Sequence, residues 1–510
     1  MSLSDVVGAA ASAFRRRPTD LLPWYVLGAA VPAIARVVPF LAIAVGVAYL
    51  EVTGRLEAAI TQFQELETEP PDPEADPDAF EAWAESVGTA FEPLFSPTIA
   101  LLVLVAVGGA IVVGVGLYAA VSAGQLTACS ARLRSNRGLT AGFAGSRRYW
   151  LRFLGLYLLE LLAWIAVLLT VGIGTSIVAV LVAAATGSAG AAIVVVVIAI
   201  FVTGLALAAV RALFAFAPVA VVVDDTTAVD AVSNTVGFVR SQPLRAGFYY
   251  AVVLATVVTL AIVSSALALV NATAVVSLLT VLLVFPALDL LKTALYNAYR
   301  ERLRPPATPE RTLSRQFRDG IGRGWNELVA FVRETPGTHT LVVVLAIGSF
   351  WVGWEAAEPL VDLGVETSIA ARLEGHNPAA ATLEFFGNNW MVALTTALSG
   401  LILVLPAIVS LVFNGFVMGI YGRTEVDPTE LLAFVVPHGV FEVPAIFVAS
   451  ALGIRLGIAG WLAYRGQTSR TELADTLERA FWVLVGIGIL LAVAAVIEGF
   501  VSPYYYELLF

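Results

Sequence analysis

Long apolar runs dominate this chain, most of them ~20 residues or more with few charges. At ~1.5 Å per residue an α-helix of that length crosses a hydrocarbon core of ~30 Å. The runs are continuous rather than alternating, which excludes the strands of an outer-membrane barrel. Charged residues make up 13% of the chain, about half the ~25% of an ordinary soluble domain, and mean hydropathy is +0.87. So few charges cannot give a 510-residue chain a hydrated skin. A soluble enzyme with a membrane tail, a disordered chain and a nucleic-acid binder are thereby excluded. The expected fold class is all-α: a polytopic transmembrane helical protein with about ten membrane-embedded segments in two modules.

The charge pattern orders the segments. Arg15, Arg16 and Arg17 precede the first run, Leu21–Leu50, which reads as a signal anchor with a cytoplasmic N-terminus. Residues 51–97 carry twelve acids and one arginine and form an external loop, with a break at Pro70, Pro71, Pro73 and Pro77 and a short helix over Ala79–Phe91. Spans follow at Thr98–Ala120, Phe153–Ala183, Ala189–Ala209, Gly247–Leu269 and Ala272–Leu295. The loop Ala131–Arg152 holds six arginines and no acid, so it is internal. Between Arg300 and Arg333 the apolar residues Leu313, Phe317, Ile321, Trp325 and Leu328 recur at helical spacing among arginines. That pattern predicts an amphipathic helix at the inner interface. The expected organisation is an N-terminal membrane module over 1–299, a basic amphipathic linker over 300–336, and a second membrane module over 337–510.

The second module is the more informative. Thr338–Trp354 is a span, Glu355–Glu384 an external acidic loop, and Phe481–Phe500 the last span, followed by interfacial Tyr504, Tyr505 and Tyr506. Asn389–Gly422 and Pro428–Tyr464 are too long for single straight spans and contain Pro406, Gly415, Pro437, Gly439 and Pro444. Each is expected to kink, re-enter or split, which membranes tolerate only where protein or a wet cavity satisfies the freed backbone. Arg423 and the stretch Arg465–Arg479 both read as internal, so the apolar stretch between them is expected to return to its own side.

Three motifs carry a resemblance. Phe386-Gly387-Asn388-Asn389, then Leu411–Gly419 with its Asn414-Gly415 step, then Pro437-His438-Gly439-Val440-Phe441-Glu442 make residues 326–510 resemble the stage II sporulation protein M family of integral membrane proteins. The resemblance implies a multi-span helical protein; in spore formers the family acts in a complex that remodels the wall during engulfment. In the first module, Phe216–Asp225 leading into Ala228–Val232 resembles the membrane domain attached to some glycerophosphodiester phosphodiesterases, although the chain lacks the phosphodiesterase catalytic domain.

His438 and Glu442 are four apart and share a helix face. They read as an interhelical hydrogen-bond clamp, a proton relay, a metal pair or an acid–base pair. Two ligands fall short of a zinc site, and His339 and His376 are not placed to add a third, so no metal and no cofactor is expected. Asn414, His438 and Glu442 are expected to meet where the long segments break, as a polar cluster. Gly415 and Gly419, and again Gly453 and Gly457, have the small-xxx-small spacing of close helix packing. Arg36, Glu160, Asp289, Lys292, Arg455 and Glu498 are charges in or near spans, expensive there and functional by default. The lone cysteine, Cys129, cannot form an internal disulfide. Phosphate loops, nucleophile elbows and H-E-x-x-H helices are absent from the sequence.

These features point to a non-enzymatic scaffold or assembly component of an envelope complex in the plasma membrane, partnered by lipid and other membrane proteins and by no nucleic acid. A permease or channel built on the broken segments around His438 and Glu442 is the alternative, and an intramembrane hydrolase the third. One lysine among 29 basic residues and a net charge of −10 suit a surface kept hydrated in high salt, and a salt-loving microbial source is expected.

Overall fold

The computed structural model describes residues 2–66, 70–72, 75–362, 365–369, 373 and 375–504. Pro73, Tyr505 and Tyr506 lie outside them. Within these residues the regular structure is helical, joined by turns and a non-helical stretch over 300–312, with one isolated bridge, Thr367 to Glu425. Ten helices are long and apolar enough to cross a membrane. The protein is a multi-pass integral membrane protein. Its residues fall into two compact units that interleave along the sequence: Met1–Gly28, Val115–Val263 and Leu279–Thr312 form one, and Ala29–Gly114, Ser264–Leu278 and Leu313–Phe510 the other.

In the first unit helices close on small residues. A Cβ on Gly142 would stand 2.4 Å from the Trp24 ring and one on Gly145 2.1 Å from Thr127 Oγ1, so only glycine lets these backbones approach. The arginine-rich stretch expected as a loop is largely helical, because this packing continues through it. The helix Gly138–Thr186 begins inside it and runs for 49 residues. Asp20, buried at the turn between helices, ion-pairs with Arg132 at 3.5 Å. Asp289 and Lys292 pair at 2.7 Å, as do Glu160 and Arg211 at 3.0 Å. Tyr25 joins Asp289 at 2.9 Å and Cys129 at 3.2 Å, so these charged groups have local partners.

In the second unit the first long segment splits where neither Pro406 nor Gly415 predicted. Helices Pro378–Ser399 and Val404–Thr424 form a hairpin that turns at 400–403. The turn sits there because Gly400 packs on the Gly453 carbonyl and Leu401 on Gly460, where added Cβ atoms would stand 2.1 and 2.3 Å away. Pro406 falls in the first turn of the second leg, where a missing N–H costs no hydrogen bond. At 22 and 21 residues each leg is roughly 31–33 Å long, about the thickness of a hydrocarbon core.

The second long segment does not split. Pro428–Tyr464 is one helix of 37 residues that passes through Pro437 and Pro444. It does not return to its own side either. Thr367 N–H donates to the Thr424 carbonyl at 2.9 Å, and Ile369 N–H to Glu425 at 2.9 Å. Arg423 lies over the Trp354 ring at 5.4 Å. Arg423 therefore sits at the acidic-loop end of the module, and the helix that follows carries the chain roughly 55 Å to Arg465. The lone positive charge misled because a cation over an indole face needs no anionic leaflet to hold it.

The amphipathic helix is Leu313–Glu334. It buries Gly324, Leu328 and Phe331 and packs on Arg470–Phe500. There Arg479 bonds Glu327 at 3.0 Å and Glu334 at 2.9 Å. Its N-terminal apolar stripe, Leu313, Phe317 and Trp325, stays exposed.

Candidate functional site

The polar centre of the second unit is built on the Pro428–Tyr464 helix. Asp427 caps it, accepting from the Glu430 and Thr429 amides, which hold its carboxyl below the usual carboxylate range. Three turns in, His438 and Glu442 project from one face. His438 is 6% exposed. Its Nδ1 hydrogen-bonds Ser502 Oγ at 3.0 Å, and its ring meets the Phe434 ring edge-on, 5.4 Å between centroids. Nε2 is thereby turned toward Glu498 Oε1, 3.9 Å away.

Glu498 closes the group. It lies two residues before the end of Arg470–Phe500, the neighbouring helix, and is 9% exposed. One ligand atom each from His438, Glu442 and Glu498 all lie within 4.8 Å of one another. The Oε2 atoms of Glu442 and Glu498 are buried and make no hydrogen bond. Asn389, from the first leg of the hairpin, is the polar neighbour of Glu442. Its Oδ1 already accepts from Asn388 at 3.0 Å, which leaves its NH2 for the carboxylate. Neither carboxylate has an arginine or lysine partner among the described residues. Two acids this close in a low-dielectric interior must be neutralised by protons or by a cation.

A cavity of about 350 Å³, lined by Ile369, Leu373, His376, Phe385, Phe434 and Glu498, leads to the group from the acidic-loop end. His376 Nε2 donates to the Gly499 carbonyl at 2.8 Å, holding His376 against the end of the last helix.

Of the residues singled out in sequence, His438 and Glu442 come together here. Asn414 lies on Val404–Thr424 and donates to the Ser410 carbonyl of its own helix at 2.7 Å; among the described residues no hydrogen bond joins it to His438 or Glu442. Cβ atoms on Gly415 and Gly419 would stand 2.1 Å from Ser349 Oγ and 2.0 Å from the Phe350 carbonyl. On Gly453 and Gly457 they would stand 2.6 Å from Ala407 Cβ and 2.7 Å from the Gly400 carbonyl. Glu498 was legible only as a charge near a span end, and Asn389 only as part of a motif. The stronger signal for Glu498 is that it is the single ionisable residue of Phe481–Phe500.

Residues 340–503 match the family Stage II sporulation protein M. The C-terminal module belongs to that family. The stage II sporulation protein M module thus contains the hairpin, the helix of His438 and Glu442, and Glu498. Residues 139–298 match a domain of unknown function (DUF7847). No curated protein and no solved structure matches the chain.

Proposed function

We propose that the protein is a membrane scaffold, an assembly component of an envelope complex whose stage II sporulation protein M module presents a rigid helical platform. The observation that carries this reading is backbone-to-backbone packing. A Cβ on Gly353 would stand 1.9 Å from the Phe416 carbonyl, and one on Gly486 2.5 Å from the Gly324 carbonyl. Together with Gly400, Gly415, Gly419, Gly453 and Gly457, these contacts leave the helices no room to slide, and alternating access depends on such movement. The plasma membrane, a cytoplasmic N-terminus and a high-salt envelope complete the proposal, on the arginine asymmetry of the loops and the lysine-poor, acidic composition.

A permease is the second reading, favoured by the buried His438, Glu442 and Glu498 beside a cavity. Reconstitution separates the two. Liposomes carrying the purified protein are expected to show no more proton or cation flux than empty ones, while crosslinking in native membranes yields a membrane-protein partner at fixed stoichiometry. Flux that Glu442→Gln abolishes would replace the scaffold with the permease.

A further inference from the structure

We propose that His438, Glu442 and Glu498 form a binding site for a first-row divalent cation of the zinc–manganese kind, entered from the cavity lined by Ile369, His376 and Phe434. The site goes beyond the scaffold reading and does not depend on it.

The donor set is the first reason. One imidazole nitrogen and two carboxylates are ligands that zinc and manganese accept, whereas a calcium site would call for six or more oxygens. The i, i+4 pair supplies two ligands from one helix and Glu498 supplies the third from the next. Three protein ligands with one side open to a cavity is the arrangement of a site that keeps water or an exchangeable ligand in its fourth position.

The second reason is orientation. A metal-bound histidine characteristically donates its other N–H to a neighbour, which fixes tautomer and ring. His438 has that neighbour in Ser502, 3.0 Å from Nδ1. With Nδ1–H donating there, the Nε2 lone pair points at the carboxylates. Asn389 takes the corresponding place behind Glu442.

The third reason is unfilled valence. The Oε2 atom of Glu498 is buried and, like that of Glu442, has no hydrogen-bond partner. A single divalent cation cancels both charges and occupies both oxygens. Ligands ~2.1 Å from one metal stand up to ~4.2 Å apart, so separations of at most 4.8 Å require only a small inward turn of the side chains. The competing arrangement is a proton shared between the two acids.

The test is direct. The full-length protein, stripped with chelator and exchanged into metal-free detergent buffer, is titrated with zinc and separately with manganese. One ion should bind per chain and raise the unfolding temperature, since a ligand that binds only the folded state stabilises it. Glu498→Gln and His438→Gln, each checked for a monodisperse elution profile, should each weaken binding roughly ten- to a hundredfold or more. Cobalt at the same site should give a visible d–d spectrum that both variants lose. The second variant keeps the test readable if the first fails to fold. The absence of stoichiometric binding at millimolar zinc or manganese by the folded wild type overturns the site and favours the shared proton. Binding that both variants retain also overturns it and moves the ion to the acidic loop at 51–97. Neither result touches the scaffold, which is read from flux and crosslinking.

Discussion

Asp224 and Asp225, adjacent in sequence, do different work at the end of one helix. Asp224 gathers Tyr296 at 2.6 Å, Arg300 at 2.5 Å and Asn234 at 3.1 Å, tying the chain after the last N-terminal span to that helix end. Asp225 adopts a left-handed backbone, φ 54°, a conformation asparagine and aspartate tolerate best among non-glycine residues. It bonds Arg152 at 2.8 Å and also Arg148, and the Arg152 hydrogen bond, aided by Arg148, holds its carboxyl below the usual range. A depressed acid contributes stability above its unfolded pKa, about 3.9, and loses it as pH falls through the folded value. Asp225→Asn keeps the backbone and deletes the charge. The variant should unfold at a lower temperature than wild type at pH 6, by a margin that shrinks below about pH 4. Because the pair is exposed, the effect is at most about 1 kcal/mol. An unfolding difference that does not change with pH would mean the arginines do not sense this charge.

Sequence made the chemistry of such sites legible one residue at a time and left their partners unread. His438 and Glu442 declared themselves because four-residue spacing is a local property of a helix. Glu498 could not be joined to them, since nothing local says which helix faces which across the 55 residues between Glu442 and Glu498. Asn414 differs: it sits beside a glycine in a motif, and its amide donates to the Ser410 carbonyl one turn back.

At the scale of elements, apolar length read the helices correctly and breaker residues misplaced their ends. Proline marked no break in Pro428–Tyr464, because helix neighbours and local backbone adjustment absorb the lost hydrogen bond in a membrane. The hairpin turned instead where Gly400 meets Gly453, a contact between distant segments. Glycines therefore matter here by what they touch. Gly419 lies against the Phe350 carbonyl, whereas a Cβ on Gly172 would meet nothing within 4 Å. Gly419→Ala should destabilise the protein in detergent by roughly 1–3 kcal/mol as the backbones are forced apart. Gly172→Ala should be neutral or stabilising by up to about 1 kcal/mol, since alanine favours a helix interior. Equal unfolding temperatures for the two variants would refute tight packing between Pro336–Ala356 and Val404–Thr424.

At the scale of the whole molecule, the hairpin changes the count of crossings. Among the described residues ten helices are long and apolar enough to cross a membrane, and ten crossings would return a chain to the side it started from. Pro378–Ser399 is not among them, yet at 22 residues it is roughly 33 Å long. Its far end turns against Gly453, Gly457 and Gly460, deep along the helix that begins at Pro428. Its near end lies by the acidic loop, where Glu384 accepts from the Ala274 amide at 2.7 Å. That helix thus runs along the depth of the module, and if it crosses, eleven crossings are expected. With the arginines of 15–17 held inside, residue 504 should face outside, level with His376 and Glu425. Cysteines placed singly at Ser4, Asp76, Gln467 and Tyr504, in a Cys129→Ala background, can be labelled in intact cells with a membrane-impermeant maleimide. Asp76 and Tyr504 should react before lysis, and Ser4 and Gln467 only after it. If Ser4 and Tyr504 react on the same side, Pro378–Ser399 does not cross, and the hairpin dips in and out of one leaflet instead.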